Sequence, residues 1–345
     1  TWRLNINMSD FKINSIATKQ GQHGPVIAGV STVNSTGCMK IPSGPTEFRG
    51  GRGRMVTYGG AVPNYNSSMN SIEIATLGSA VDFGDASDNS GFASGMGSST
   101  RGVFKQGRDS PGFSSTIEFV TFSSLGGVAD FGTDNGVSQD SSASSADNTR
   151  GIFGNGTAYD KKIQFITLAS TGDTTEFGEL LSGRYMGGGA GGASQTRGFF
   201  FGGLVSGQPA GTNLIEFVTI QTLGNSVEFG NLTVARRSIA AVTNATRAVA
   251  CSGDSPATNT MDFITMASQG NATDFGDITR QAAGYGAGGS TQIRGVITGC
   301  SPSPDATPID FITFSTTGNA TDFGDTTYGS YLNGACSDSN GGLTL

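Results

Sequence analysis

An all-β fold, a β-propeller of four-stranded antiparallel blades, is what the sequence predicts, and three observations carry that prediction. The string Gly318-Asn319-Ala320-Thr321-Asp322-Phe323-Gly324-Asp325 recurs in variants centred on Phe83, Phe131, Phe177, Phe229, Phe275 and Phe323, each with Asp or Glu before and Gly after. The gaps between those phenylalanines are 48, 46, 52, 46 and 48 residues, and a period near fifty with strand-like content is the mark of a propeller array. Within each period, four short β-type segments are separated by Gly/Asn turns. No segment carries an i, i+3, i+4, i+7 apolar stripe of helical length, so little helix is expected.

Residues 1–45 do not show the repeat. Asp10-Phe11-Lys12-Ile13-Asn14-Ser15-Ile16-Ala17 alternates like a strand, and Gly24-Pro25-Val26-Ile27-Ala28-Gly29 reads as another. This N-terminal segment is expected either to supply closing strands of the last blade or to serve as an attachment arm, with the propeller occupying 46–345. Residues 236–277 illustrate the unit. Arg236–Val242 is a small-residue strand, and a second strand, Arg247–Cys251, follows the turn at Thr243–Thr246. Thr260–Met266 is the third strand and Ala272–Asp277 the fourth. An arginine opens every second strand, at Arg54, Arg101, Arg150, Arg197, Arg247 and Arg294. The third strands read Ile72-Glu73-Ile74, Ile117-Glu118-Phe119, Ile163-Gln164-Phe165, Ile215-Glu216-Phe217, Met261-Asp262-Phe263 and Ile309-Asp310-Phe311. At the C-terminus, Tyr331–Cys336 and Gly341–Leu345 resemble strands one and two of a further blade. Completing that blade from the opposite terminus would remove two free sheet edges. Seven blades is therefore the favoured count, with six as the alternative.

Each recurring residue has a structural reason. The phenylalanines are expected to pack between neighbouring blades, and the glycine after each to let backbone approach where a Cβ would clash. Asn225, Asn271 and Asn319 suit a φ > 0 turn between strands three and four. The six arginines are expected to pair with the third-strand acid or the acid before the Phe, fixing register. The competing reading is a ring of cations aimed at an anionic ligand. Sequons at Asn34, Asn66, Asn155, Asn231, Asn244, Asn271 and Asn319 include two inside the turn motif, where turn chemistry accounts for them without glycans. Asp-rich Asp85-Ala86-Ser87-Asp88-Asn89 has oxygen ligands for calcium but not the EF-hand pattern.

Composition narrows the function. Glycine is 55 of 345 residues, about 16% against an average of roughly 7%, which suits many tight turns. Charged residues are only 14%, and 22 phenylalanines placed periodically argue against disorder. A net charge of −7 without a basic run leaves no footprint for nucleic acid. No run of about 18 apolar residues predicts membrane insertion, and the N-terminus lacks a signal-peptide core. Cys38, Cys251, Cys300 and Cys336 are far apart, with neither zinc nor redox spacing, and read as small buried hydrophobes. No metal or cofactor site is expected.

Enzymes on this architecture need a constellation that is hard to assemble here. The single histidine, His23, would have to serve any Ser–His–Asp triad, and no nucleophile elbow is present. Trp2 is the lone tryptophan, against the Trp-bearing Asp boxes of sialidase-type propellers. Carboxylates for glycoside hydrolysis are plentiful, but they recur blade by blade, as scaffold residues do. No catalytic residue is assigned. Binding is the remaining task, and Asp109–Ser115, Val205–Asn213 and Pro302–Thr307 vary as recognition loops on a constant frame do. Tyr65, Tyr185 and Tyr285 are the loop aromatics that a carbohydrate site would use.

The arrangement of Arg-Gly-Val-Phe, as at Arg101-Gly102-Val103-Phe104, then a Gly-rich end, then Ile309-Asp310-Phe311-Ile312-Thr313-Phe314 through to Asp325 resembles kelch-type blades. More narrowly, it resembles repeats in virion proteins of marine tailed phages, notably cyanophages, over about residues 48–345. The resemblance implies a non-enzymatic structural component of the phage particle, in a tail, neck, fibre or capsid-surface position. Its expected partners are other virion proteins or a host-surface receptor, and homo-oligomeric assembly in the particle fits that role. A lectin-like or protein-binding module outside a virion is the alternative, and a glycan hydrolase the third reading.

Overall fold

The computed structural model describes residues 53–339 except 62–63, 109–111, 136–139, 141, 155, 157–158, 186–190, 281–283, 301–306 and 330. Six four-stranded antiparallel sheets form the ring. Blade 1 contains β1 (Arg54–Ala61), β2 (Tyr65–Glu73) and β3 (Val81–Ser90). Blade 2 is β4 (Ser94–Gly97), β5 (Arg101–Lys105), β6 (Thr116–Thr121) and β7 (Ala129–Thr133). Blade 3 is β8 (Ala143–Ala146), β9 (Arg150–Gly154), β10 (Lys162–Thr167) and β11 (Thr175–Glu179). A two-stranded piece follows, β12 (Arg184–Tyr185), which pairs with β15 (Leu204–Val205). Blade 4 is β13 (Gly191–Ala193), β14 (Arg197–Phe201), β16 (Leu214–Thr219) and β17 (Val227–Asn231). Blade 5 is β18 (Ala240–Thr243), β19 (Arg247–Gly253), β20 (Thr258–Thr265) and β21 (Thr273–Asp277). Blade 6 is β22 (Ala287–Ser290), β23 (Arg294–Thr298), β24 (Pro308–Thr313) and β25 (Thr321–Asp325). The last strand, β26 (Gly334–Ser337), pairs with β1 and becomes the innermost strand of blade 1.

The favoured count of seven is thereby corrected to six. Tyr331–Cys336 does lead into an inner strand, but that strand fills the vacancy in the blade begun at Arg54 instead of opening a new one. Innermost strands touch in a cycle, β26–β4–β8–β13–β18–β22 and back to β26. Gly341–Leu345 and residues 1–45, with the roles expected for them, lie outside the described residues.

The Asp/Glu-Phe-Gly motif is a β-bulge. In blade 2, Ile117 pairs with Gly132 and Glu118 with Asp130, so Phe131 is an extra residue with no partner across the ladder. The same slip brackets Phe83, Phe177, Phe229, Phe275 and Phe323. A bulge leaves its extra residue unpaired and bends the strand. Each Phe carbonyl is taken up by the next blade: Gly126 N–H donates to Phe83 O at 2.9 Å, Gly172 to Phe131 at 2.7 Å and Gly224 to Phe177 at 3.0 Å. Gly270 donates to Phe229, Gly318 to Phe275, and Gly78 of blade 1 to Phe323 of blade 6, which closes the cycle. A Cβ on Gly84, Gly132, Gly178, Gly230, Gly276 or Gly324 would fall under 3.0 Å from backbone of that same neighbouring turn. The phenylalanine rings are all buried, in clusters that join adjacent blades, such as Phe131 with Phe153, Ile166 and Leu168 of blade 3.

The asparagine reading needs correction. The left-handed backbone in two of these turns belongs to the glycine before, Gly224 (φ 154°) and Gly318 (φ 151°). The asparagine instead caps its neighbour: Asn225 Oδ1 accepts from Glu179 N–H, Asn271 from Asn231 and Asn319 from Asp277, each at 3.0 Å. Asp85-Ala86-Ser87-Asp88-Asn89, weighed above for calcium, belongs to strand β3.

Candidate functional site

Antiparallel alternation sorts the connections onto two faces. Turns between strands one and two and between three and four lie on one, the turn face. Connections between strands two and three, and from each blade to the next, lie on the other, the loop face.

The six repeated arginines stand at the turn face. Each Nη1 donates to a backbone carbonyl of the next blade: Arg54 to Phe122, Arg101 to Leu168, Arg150 to Ile220, Arg197 to Met266, Arg247 to Phe314 and Arg294 to Ile74, at 2.6–3.0 Å. Five guanidinium groups also cover a third-strand phenylalanine of their own blade, from 4.2 Å for Arg101 over Phe119 to 4.8 Å for Arg247 over Phe263. Stacking on a ring and donation to a carbonyl suit a flat, weakly hydrated cation. The expected carboxylate partner is found only at Arg54, 3.3 Å from Glu73. Pairing shows why: Arg54 lies opposite Glu73 as Arg101 lies opposite Thr121, so Glu73 is not the counterpart of Glu118, and Asn70 takes that place. The acids before each Phe (Asp82, Asp130, Glu176, Glu228, Asp274, Asp322) are exposed on the outermost strands.

The true third-strand acids are buried toward the loop face, where Glu216, Asp262 and Asp310 face the linker from the preceding blade and Glu118 faces strand β1 of that blade. Glu216 accepts from Arg184 Nη2 at 2.6 Å and Leu181 N–H at 3.0 Å. Asp262 binds Arg236 Nη1 at 2.7 Å and Thr233 Oγ1 at 2.5 Å. Asp310 binds Thr279 Oγ1 at 2.6 Å, with Arg280 at 3.8 Å. Glu118 accepts from the Tyr58 hydroxyl, whose pKa is pushed up first by burial and then by that carboxylate. Arg184 and Arg236 are wholly buried, and burial outweighs Glu216 in pulling the Arg184 guanidinium down. These linker arginines were not singled out in the sequence. The signal was there, an Arg at the start of a small-residue strand following Phe-Gly-x-Leu, but only blades 4 and 5 receive it in that form.

On the loop face, side chains stop following the repeat. Phe92, Ser238, Tyr285 and Leu332 precede the innermost strands of four blades with left-handed backbone, φ 57–63°. A backbone ladder links them: Tyr285 N–H donates to Ser238 O at 2.7 Å, Leu332 to Tyr285 at 3.2 Å, and Phe92 to Leu332 at 2.7 Å. Above this ladder the ring of Tyr285 meets Phe92 edge-on at 5.7 Å and Tyr331 at 5.3 Å. Arg237 lies 5.3 Å over Tyr185 and bonds Asp254 through Nε and Nη2 at 3.2 and 3.0 Å. Partial burial lowers the Arg237 pKa, but Tyr285, Asp254 and Tyr185 together outweigh that and raise it. Arg108 extends the cluster, 5.6 Å over Phe92 and 4.9 Å over Phe113, and is anchored 3.0 Å from Asp140. Tyr65 packs against Gly91, next to Phe92. All three tyrosines marked as carbohydrate candidates therefore lie on this face.

Beneath the cluster the axis is filled by small residues of the inner strands, among them Gly95, Ser144, Ala241, Gly288 and Ala335, around a cavity of about 30 Å³. A second cavity of about 70 Å³ shares much of this lining further along the axis, and the two leave room for a few waters. Cys251, Cys300 and Cys336 are buried, and burial raises their thiols, that of Cys300 to about 11. They are packing residues; Cys38 and His23 lie outside the described residues. Among the described residues no group of three or more His, Cys, Asp or Glu side chains is placed to share a metal ion, and no helix is long and apolar enough to cross a membrane.

No protein-family model matches the chain, and no curated protein matches it. The resemblance to kelch-type blades and phage virion repeats rests on the motif strings alone.

Proposed function

We propose that this propeller is a non-enzymatic structural protein of a tailed-phage particle, a rigid frame whose loop face makes contact with another virion protein or a host surface. One observation carries the reading. The six arginines that recur are engaged in bonds between blades, and the acids that recur stand on the outermost strands, whereas the aromatic and arginine side chains that break the repeat gather on one face. A frame whose repeated residues join blades or line the outer edges, and whose variable chemistry gathers on one face, suits recognition better than turnover. β1 begins and β26 ends at the turn face, which leaves the loop face clear of both points where chain joins the ring. The motif resemblance supplies the particle as the setting.

The test is composition of the particle. Mass spectrometry of gradient-purified virions should find this chain in stoichiometric copies, and antibody labelling should place it at the tail, neck, fibres or capsid surface. Its absence from particles that are otherwise complete would refute the assignment. The loop-face aromatics favour a second reading, a lectin-like module outside a virion. Capsid, portal or tail genes beside its own would decide between the two.

A further inference from the structure

The backbone ladder at the loop-face mouth accounts for the left-handed conformation at four positions, but not for the side chains two of them carry. Left-handed backbone is unfavourable for an L-residue, and bulky residues there are outliers that concentrate at functional sites. Ser238 shows that a small side chain serves the ladder at φ 57°. Phe92 and Tyr285 instead place rings at the mouth at φ 58° and 62°, where they remain half-buried. Tyr331 joins them from the next linker. Nothing in the repeat requires these rings.

Polar groups beside the rings are arranged as donor next to acceptor. Arg237 and Asp254 are about a quarter exposed, with side-chain exposures of 23% and 27%, and both lie within electrostatic reach of Tyr331. Two further polar atoms, Ser238 Oγ and Asn333 Oδ1, are buried and have no hydrogen-bond partner among the described residues. Buried polar atoms in folded proteins are seldom left unpaired, and these two belong to the residues that flank Tyr285 and Leu332 in the ladder.

The geometry points to a saccharide site at this mouth, with a pyranose ring lying against Tyr285 and Tyr331 and its hydroxyls shared between Arg237 and Asp254. One face of a pyranose presents polarised C–H bonds that pack on an aromatic ring, while its rim presents hydroxyls that each need a donor and an acceptor. An Arg–Asp pair supplies both without leaving a net charge to be buried. A protein partner is the less suitable occupant. It would need about 800 Å² on this side, and the rings here meet edge-on around a small axial mouth instead of spreading into an apolar patch. The inference rests on the reading of the chain as a contact module and names what the contact recognises.

The full chain should be titrated with the methyl α- and β-pyranosides of glucose, galactose, mannose and N-acetylglucosamine, and applied to an array of immobilised oligosaccharides. Saturable binding of at least one sugar is expected, with ring signals of Tyr285 and Tyr331 shifting among the seven tyrosines in a ¹³C-tyrosine-labelled sample. Tyr285→Ser, which copies the residue at the equivalent left-handed position, and Arg237→Ala should each weaken binding about tenfold or more. Thr171→Ala on the turn face should leave it unchanged. The inference is overturned if no sugar binds, or if a sugar binds while the Tyr285 and Tyr331 signals stay still. The labelled wild-type experiment decides the matter even if a variant fails to fold. A chain that binds sugar here yet is absent from virions refutes only the particle assignment. One that is present in virions but binds no sugar refutes only this site.

Discussion

At the residue scale, the Asp/Glu-Phe-Gly motif works because three adjacent residues do three unlike jobs. The acid stays in solvent on the outermost strand, where charge discourages pairing with another sheet edge. The phenylalanine bulges out of its ladder, buries its ring against the next blade and hands its carbonyl to that blade's turn. The glycine admits that turn at a distance no Cβ tolerates. Phe131→Ala should therefore cost about 3–5 kcal/mol from lost burial and the cavity left behind, read as a shifted denaturant midpoint with an unchanged slope. The turn cap yields a pH prediction. Asp173 Oδ1 accepts from Thr133 N–H and Oγ1 at 2.8 and 2.9 Å, and the backbone bond first, then the hydroxyl, holds its carboxyl below the usual value. A depressed carboxylate adds stability above its unfolded pKa and loses it as pH falls through the folded one. Asp173→Asn should remove that acid-dependent part, visible as a flatter melting-temperature profile below about pH 4. Stability near neutrality should be kept, because Asn225, Asn271 and Asn319 make the same cap uncharged.

At the element scale, the linkers that enter blades 1, 4, 5 and 6 are each held by the buried third-strand polar residue of that blade, Asn70, Glu216, Asp262 and Asp310. Arg184 and Glu216, like Arg236 and Asp262, are both fully buried, with Ser226 and Leu181 N–H completing the Glu216 carboxylate's partners. Removing one member of a buried pair strands the other charge and typically costs about 3–5 kcal/mol, whereas apolar replacement of both is often neutral. Arg184→Met alone should thus lower the melting temperature more than Arg184→Met combined with Glu216→Leu, and equilibrium unfolding of both variants would show it. The sequence revealed the strands and the period because bulge, glycine and arginine sit at fixed offsets in every copy. It did not reveal partners. Glu118, Glu216, Asp262 and Asp310 each immediately precede a phenylalanine on which an arginine stacks, so proximity alone suggested an arginine–acid pair. Alternation in a strand instead sends the acid and the ring at the next position to different neighbours. Blade 1 misled for another reason. Asn70 replaces the acid and Ser71 the phenylalanine, so Ile72-Glu73-Ile74 offered a false match three residues out of register. The loop-face cluster was legible only as scattered tyrosines, since no residue type announces that linkers of blades 1, 2, 5 and 6 converge on one axis.

At the scale of the whole molecule, the ring closes without a covalent link, by rebuilding an ordinary turn from two distant stretches of chain. In the turn that opens blade 3, Asp147 Oδ1 accepts from Arg150 N–H at 2.7 Å, and Asp147 N–H donates to Arg150 O at 3.0 Å. In blade 1 the same two bonds join Asp338 to Arg54, at 2.9 Å each, across 284 residues. Gly53 N–H adds a third to the same carboxylate oxygen, at 2.9 Å. Four β26–β1 residue pairs continue the seam, from Met55 with Ser337 to Tyr58 with Gly334. Asp338→Ala removes the cap and should cost about 1–2 kcal/mol, the range for loss of a capping side chain, with Asp338→Asn recovering most of it. Ending the chain at residue 330 is a different perturbation. It takes away β26 with Ala335 and Cys336, which are buried between blades 6, 1 and 2, and it exposes β1 as an unpaired edge facing the axis. Because every blade borrows bonds from the next, that loss cannot stay local. Hydrogen exchange should show protection falling first in blade 1 and its neighbours, β4 and β22. Unfolding should lose its single transition, and the open edge should promote association in sedimentation runs. If the shortened chain remains monomeric and melts as cooperatively as the full one, closure by the C-terminal strand is not what holds the ring.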